Sequence, residues 1–230
     1  MIFDPNNPDT WPVFKPLIIA HDVGCTRDRS TAVIGGNCPL GTELVGIKEF
    51  VELEQGLYGS ARASALAAID HRYNRNALIV ADVSNDATYA EVLLQTFGAR
   101  VIGLHISRNG DGMTFDPRQV GRGVIPVYTI GRTHLIELFH SELQSGRVRM
   151  VDGPMARRAY EQLANLETEV RETGIVYKCL PGQHDDLGIS CAMLAWAARH
   201  PHLPRWVGTY LAPRRPQWRR PEGNPWGAWT

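Results

Sequence analysis

The stretch from Ser60 to Ile106 constrains the fold more than any other part of the chain. "SARASALAAIDHRY" has the apolar spacing of a helix and "ALIVAD" is an apolar strand run. "ATYAEVLLQTFG" is a second helix closed by Gly98, and "RVIGLHI" is a further strand. Strands joined through helices of this length lie parallel, connected by right-handed crossovers. Before this block come three strand-like runs, Leu17 to Asp22, Thr31 to Gly35 and Leu44 to Val51. The Gly, Asn and Pro clusters between them are short enough for hairpins, which makes an antiparallel meander. The expected architecture is α/β: a mixed five-stranded sheet, three antiparallel strands and then parallel ones, with helices on both faces.

The remaining segments fit around that frame. Residues 1–15, with three prolines and no periodicity, read as an irregular lead-in. Residues 16–212 make one domain, since 230 residues with 43 % hydrophobic content bury one substantial core and leave little for a second. "SRNGDGMTFDPRQVGRG" (107–123) reads as a functional loop or flexible hairpin. Helices are expected over Thr133 to Gln144 and Pro154 to Thr173, with the short run "RVRMV" between them. The last helix, "DDLGISCAMLAWAARH", is apolar nearly all round and is expected to be buried. Residues 213–230 read as a tail in which four arginines are interleaved with Trp218, Trp226 and Trp229.

Composition excludes several classes. Twenty-four basic residues balance 24 acidic ones, which argues against a protein that coats nucleic acid indiscriminately. Five arginines against one glutamate after Leu203 leave a mildly acidic body with a basic end. No apolar run approaches a membrane span, and the first 15 residues are too polar and Pro-rich for a signal peptide, so a soluble intracellular protein is expected. Cys25, Cys38, Cys179 and Cys191 form no CxxC pair and read as buried or incidental thiols.

The carboxylates carry the chemistry. In "PLIIAHDVGCTRDRST" an apolar strand ends on Asp22, and "ALIVAD" ends on Asp82 in the same way. An ionised carboxylate beside buried surface is costly unless a cation or hydrogen bonds compensate it. Open α/β sheets form their sites at the carboxyl ends of parallel strands, which makes Asp22 and Asp82 neighbours. Asp185 and Asp186 open the last helix, where an acid serves either as a cap or as part of the same site.

Four blocks in this order, "IIAHDVGCTRDRSTAVIGG", "ALIVADVSNDATYAEVLLQTFGARVIGL", "GRTHLIELFHSELQSGRVRM" and "GQHDDLGISCAMLAWA", resemble the ribonuclease H-like fold, and within it the nuclease domain of phage large terminase subunits. The resemblance implies a metal-dependent DNA endonuclease that cuts concatemeric viral DNA during genome packaging, with Asp22, Asp82 and Asp185 as catalytic ligands of two divalent ions, Mg²⁺ or Mn²⁺. Asp186 is the alternative or additional ligand. Asp28 stands beside the ligands or caps its turn with Arg29, and His184 is a ligand, a proton carrier or an exposed loop residue. Candidate contacts to double-stranded DNA are Arg27, Arg29, Arg108, Arg118 and Arg122. Implied partners are a packaging ATPase domain or subunit, the small terminase subunit and the portal, with no membrane, in the cytoplasm of an infected or prophage-carrying bacterial host.

The sequence contains no GxxxxGK[ST] loop, so no packaging ATPase is expected in this chain. Competing readings are a Holliday-junction resolvase or other ribonuclease H-like nuclease, a sugar-kinase or actin-like phosphate loop at "DVGCT", and a non-catalytic module that docks on portal or DNA.

Overall fold

The computed structural model describes residues 14–24, 29–38, 43–84, 86–108, 112–171, 174–180, 182–200 and 203. The tail at 213–230, most of the lead-in, Arg27, Asp28 and Cys25 lie outside the described residues.

The chain opens with the meander β1 (Leu17–Asp22), β2 (Thr31–Asn37) and β3 (Val45–Glu52). It continues through α1 (Gly59–Arg72), β4 (Leu78–Asp82), α2 (Ala87–Phe97) and β5 (Val101–Ser107). Asp86 starts α2 by accepting from the Thr88 and Tyr89 amides at 3.0 and 3.1 Å, an N-cap that satisfies two otherwise orphaned donors. Beyond β5 come β6 (Met113–Phe115), β7 (Arg118–Val120), β8 (Gly123–Ile125), β9 (Val127–Gly131), α3 (Arg132–Gln144), β10 (Val148–Met150) and α4 (Pro154–Ala164). The hairpin β11 (Glu167–Arg171) and β12 (Gly174–Lys178) precedes α5 (Asp186–Arg199).

The five expected strands lie side by side in the order β3-β2-β1-β4-β5, antiparallel through β1 and parallel from β1 to β5. The sheet is wider than five strands. β10 joins β3, and β9 followed by β6 extends the other edge, giving eight. β9 pairs parallel with β5 and buries Val127, Tyr128 and Ile130. Part of the 107–123 segment is therefore sheet edge, and β7 with β8 forms a separate hairpin against α2. Strands of three residues are too short to show a period of two, which is why the sequence hides them.

One expected helix is shorter than its sequence suggests. Residues 154–173 do not form a single helix: α4 stops at Ala164 and Asn165 caps it, after which Glu167–Arg171 pairs antiparallel with Gly174–Lys178. Glu and Arg favour helices, but the Thr168 and Val170 alternation serves a two-residue period, and the pairing overrides the weak local preference.

The sheet has helices on both faces. Ile19, Ile34, Ile79 and Ala81 pack against α1 and α2, while Ile18, Ala20, Val33, Leu78, Val80, Ile102 and Leu104 pack on the other face with α3, α4 and α5. α5 is buried from Leu187 to Ala198 because it lies against the sheet and has α3 and α4 on its outer sides, which accounts for its apolar circumference. Its first turn approaches α4 closely. A β-carbon on Gly188 would stand 2.5 Å from Leu163 Cγ, so a larger residue there would push the start of α5 out of position.

Candidate active site

Strand parity aims the two strand-end carboxylates. Ile18 and Ala20 face the α5 side and Asp22 follows in the same alternation; Leu78 and Val80 do the same for Asp82. β1 and β4 pair in parallel with His21 opposite Ala81, so the next position in register sets Asp22 beside Asp82. The start of α5 is stitched to that point. The Ser190 hydroxyl accepts the Asp22 amide at 3.2 Å and lies 2.8 Å from the Thr31 hydroxyl, which in turn donates to the Asp186 carbonyl at 3.0 Å. The four carboxylates Asp22, Asp82, Asp185 and Asp186 thereby line one cleft of about 290 Å³, with Gly24, Ser84, Ile106, Arg108 and Arg132 among its other walls.

Each acid has a distinct environment. Burial pushes the Asp22 carboxyl well above the usual carboxylate range, and the charges of Asp82 and Asp186 push it further. Asp82, 8 % exposed, is also raised by burial, against the pull of Ser84. Its Oδ1 accepts from the Ser84 amide at 2.8 Å and from the Ser84 hydroxyl, and that hydroxyl accepts the Ile106 amide at 2.8 Å, so the end of β4 is tied to β5. Asp185, also 8 % exposed, occupies the N-cap position of α5 without capping it. Its carboxylate is ion-paired to Arg132, the first residue of α3.

His21 faces the opposite side of the sheet, fully buried beside Tyr89. Its Nδ1 is 2.9 Å from the Thr31 carbonyl, and burial holds its pKa down at about 4, so it is neutral.

The other expected residues spread further. His184 is exposed and does not line the cleft. Arg108 lines it, whereas Arg29 is paired with Glu52 at 3.1 Å, and Arg118 and Arg122 belong to the β7–β8 hairpin on α2. Sequence reasoning missed Arg132, Thr31, Ser84 and Ser190. A lone serine in an otherwise apolar helix, one turn after Asp186, was the available signal for Ser190. Nothing local distinguished Arg132 from a surface arginine.

Among the described residues no three His, Cys, Asp or Glu side chains converge as a preformed cation site, consistent with Asp185 being held by Arg132 and Asp82 by Ser84. The donor chemistry nevertheless suits a hard divalent cation. The ionisable oxygens in the cleft are all carboxylate, and the mutual repulsion that raises Asp22 is what such a cation would relieve.

The fold itself has solved counterparts. The chain superposes on the large terminase nuclease from thermophilic phage G20c with a TM-score of 0.53 and 18 % identity, over 81 % of this chain and 85 % of that one. The fold is that of a large terminase nuclease domain, ribonuclease H-like. Looser matches of this terminase-nuclease fold are the Thermus phage P74-26 large terminase nuclease domain (TM-score 0.48, 17 % identity, 86 % and 84 % of the two chains) and the large terminase nuclease domain of bacteriophage SPP1 with bound Mn (0.46, 12 %, 80 % and 86 %). No protein-family model and no curated protein matches the sequence. No helix among the described residues is long and apolar enough to cross a membrane.

Proposed function

We propose that this chain is a metal-dependent endodeoxyribonuclease of a viral genome-packaging terminase, cutting concatemeric double-stranded DNA. One observation carries the reading: Asp22 and Asp82 stand on adjacent parallel strand ends, on the same face, where α5 delivers Asp185 and Asp186 into the same cleft. On a terminase-nuclease fold, that all-oxygen donor set supports phosphodiester hydrolysis over the competing readings.

Asp22, Asp82 and Asp185, with Asp186 as the alternative or additional ligand, would hold two Mg²⁺ or Mn²⁺ ions. When bound, the ions would supply the nucleophilic water and offset charge on the attacking and leaving oxygens. The chain's own residues prepare for this. Ser84 orients the Asp82 carboxylate, Ser190 and Thr31 fix the start of α5 against β1, and Ile106 supplies an apolar part of the wall. Arg108, exposed at the rim of the cleft, would hold a DNA phosphate. A packaging ATPase domain or subunit, a small terminase subunit and a portal would be its partners, in the cytoplasm of a bacterial host.

The test is supercoiled plasmid incubated with the protein and Mn²⁺, with and without chelator. Nicking and linearisation that stop with chelator, and stop in Asp22→Asn while duplex binding persists, are expected. Cleavage that survives chelator, or survives Asp22→Asn, overturns the assignment.

A further inference from the structure

The Arg132–Asp185 pair is a contact in the cleft that opposes loading with cation, because it sets a fixed positive charge on a carboxylate. Asp185 is nearly buried, its oxygens face the cleft, and a guanidinium already occupies one of them. Arg132 is poorly committed elsewhere. Its Nη2 also lies 3.8 Å from the Cys179 sulfur, a weak acceptor, and its buried Nε has no acceptor among the described residues. A purely structural arginine is normally saturated with acceptors.

Resting on the proposed nuclease reading, we infer that Arg132 is a positioning residue, a built-in counter-ion that holds Asp185 in the cation-free cleft and must yield it when a divalent ion binds. Removing a competitor for one carboxylate strengthens cation binding by the coupling between the two. Couplings between linked sites typically amount to about 5- to 150-fold. Removal also leaves Asp185 buried and unpaired until the cation arrives, so the variant is weakened only in the cation-free state.

The experiment titrates MnCl₂ into wild type, Arg132→Gln, Arg132→Lys and Asp22→Asn by calorimetry and records melting of each in chelator and in saturating Mn²⁺. Arg132→Gln should bind Mn²⁺ at least about fivefold tighter than wild type, with Arg132→Lys between them. Its melting temperature should fall below wild type in chelator, with the deficit shrinking in Mn²⁺. An unchanged or weaker Mn²⁺ affinity in Arg132→Gln, or an equal melting deficit in both conditions, overturns the inference and makes the pair a fixed strut, while loss of binding in Asp22→Asn leaves the nuclease reading standing. Wild type that binds no Mn²⁺ at all overturns both.

Discussion

The helices α3 and α5 are clamped by charge at both ends, and the two clamps differ in kind. At the starts of the helices Arg132 reaches Asp185, in a cleft that carries four carboxylates and two arginines. At their far ends Glu142 of α3 meets Arg199 of α5 and Arg147 of the following turn. Its carboxylate receives Arg147 Nε at 3.1 and 3.2 Å, Arg147 Nη2 at 2.8 Å and Arg199 Nε at 2.7 Å. The far clamp is closed: one acid, two bases, both oxygens filled. Although burial opposes it, those hydrogen bonds hold the Glu142 carboxyl below its ordinary range, whereas Asp22 in the cleft is held above. A satisfied ion cluster stabilises helix packing, while an over-acidic one keeps capacity for a ligand and costs stability until the ligand arrives.

The largest expected effect separates the two clamps by activity. Asp22→Asn should lower Mn²⁺-dependent plasmid cleavage by at least about a hundredfold, the usual scale for removing one preorganised charge-stabilising group, while Glu142→Gln leaves the rate per folded molecule unchanged. A comparable loss in both variants would erase the distinction between them.

Stability should show the reverse. Glu142→Gln removes the charge that two guanidiniums share while keeping one acceptor oxygen, and it is expected to lower stability in denaturant unfolding, by less than a broken buried pair because the Arg147 side chain is 40 % exposed. Asp82→Asn keeps an oxygen for Ser84 and removes one repelling charge, so it should slightly stabilise the protein in chelator. It should also diminish the stabilisation by cation, which in wild type is expected to reach about 2.7 kcal/mol at 100 times the dissociation constant. An Asp82→Asn protein that is weaker in chelator yet keeps the full cation shift would make Asp82 a structural acceptor.

Melting against pH in chelator sharpens the contrast. The lowered Glu142 carboxyl contributes stability that is present above its unfolded value of 4.5 and lost as pH falls through its folded value. The raised Asp22 carboxyl has the opposite sign: its contribution is full below the unfolded value of 3.8 and lost as pH rises through its folded value. As pH rises, Glu142→Gln should therefore fall increasingly below wild type and Asp22→Asn should rise increasingly above it. Parallel curves for all three proteins would mean that neither carboxylate titrates differently in the fold.

The smallest effect concerns DNA contact. Arg108→Ala, at the cleft, should weaken duplex binding and reduce the slope of log affinity against log salt by about 0.9, and Arg118→Ala, on the hairpin beside α2, should change neither. Equal losses would extend the DNA path onto the hairpin.

The sequence alone determined the elements whose burial pattern repeats over several turns or strands. The β1–β5 order, the two-sided helix cover and the all-round apolar α5 follow from periodicity that only one chain path satisfies. It also placed Asp22 and Asp82 together, because a carboxylate at the end of a buried strand is conspicuous and parallel neighbours share their carboxyl ends. Tertiary structure alone decided β6, β9 and β10, which exist through pairing with a formed sheet edge, and the end of α4, where pairing outweighs propensity. It alone brought Arg132 to Asp185 and Ser190 to Asp22, contacts spanning 53 and 168 residues of chain. Such pairs leave no periodic trace. A single polar side chain acquires its partner only when packing fixes two distant elements in one register, and that packing is set by apolar area rather than by the polar residues it brings together.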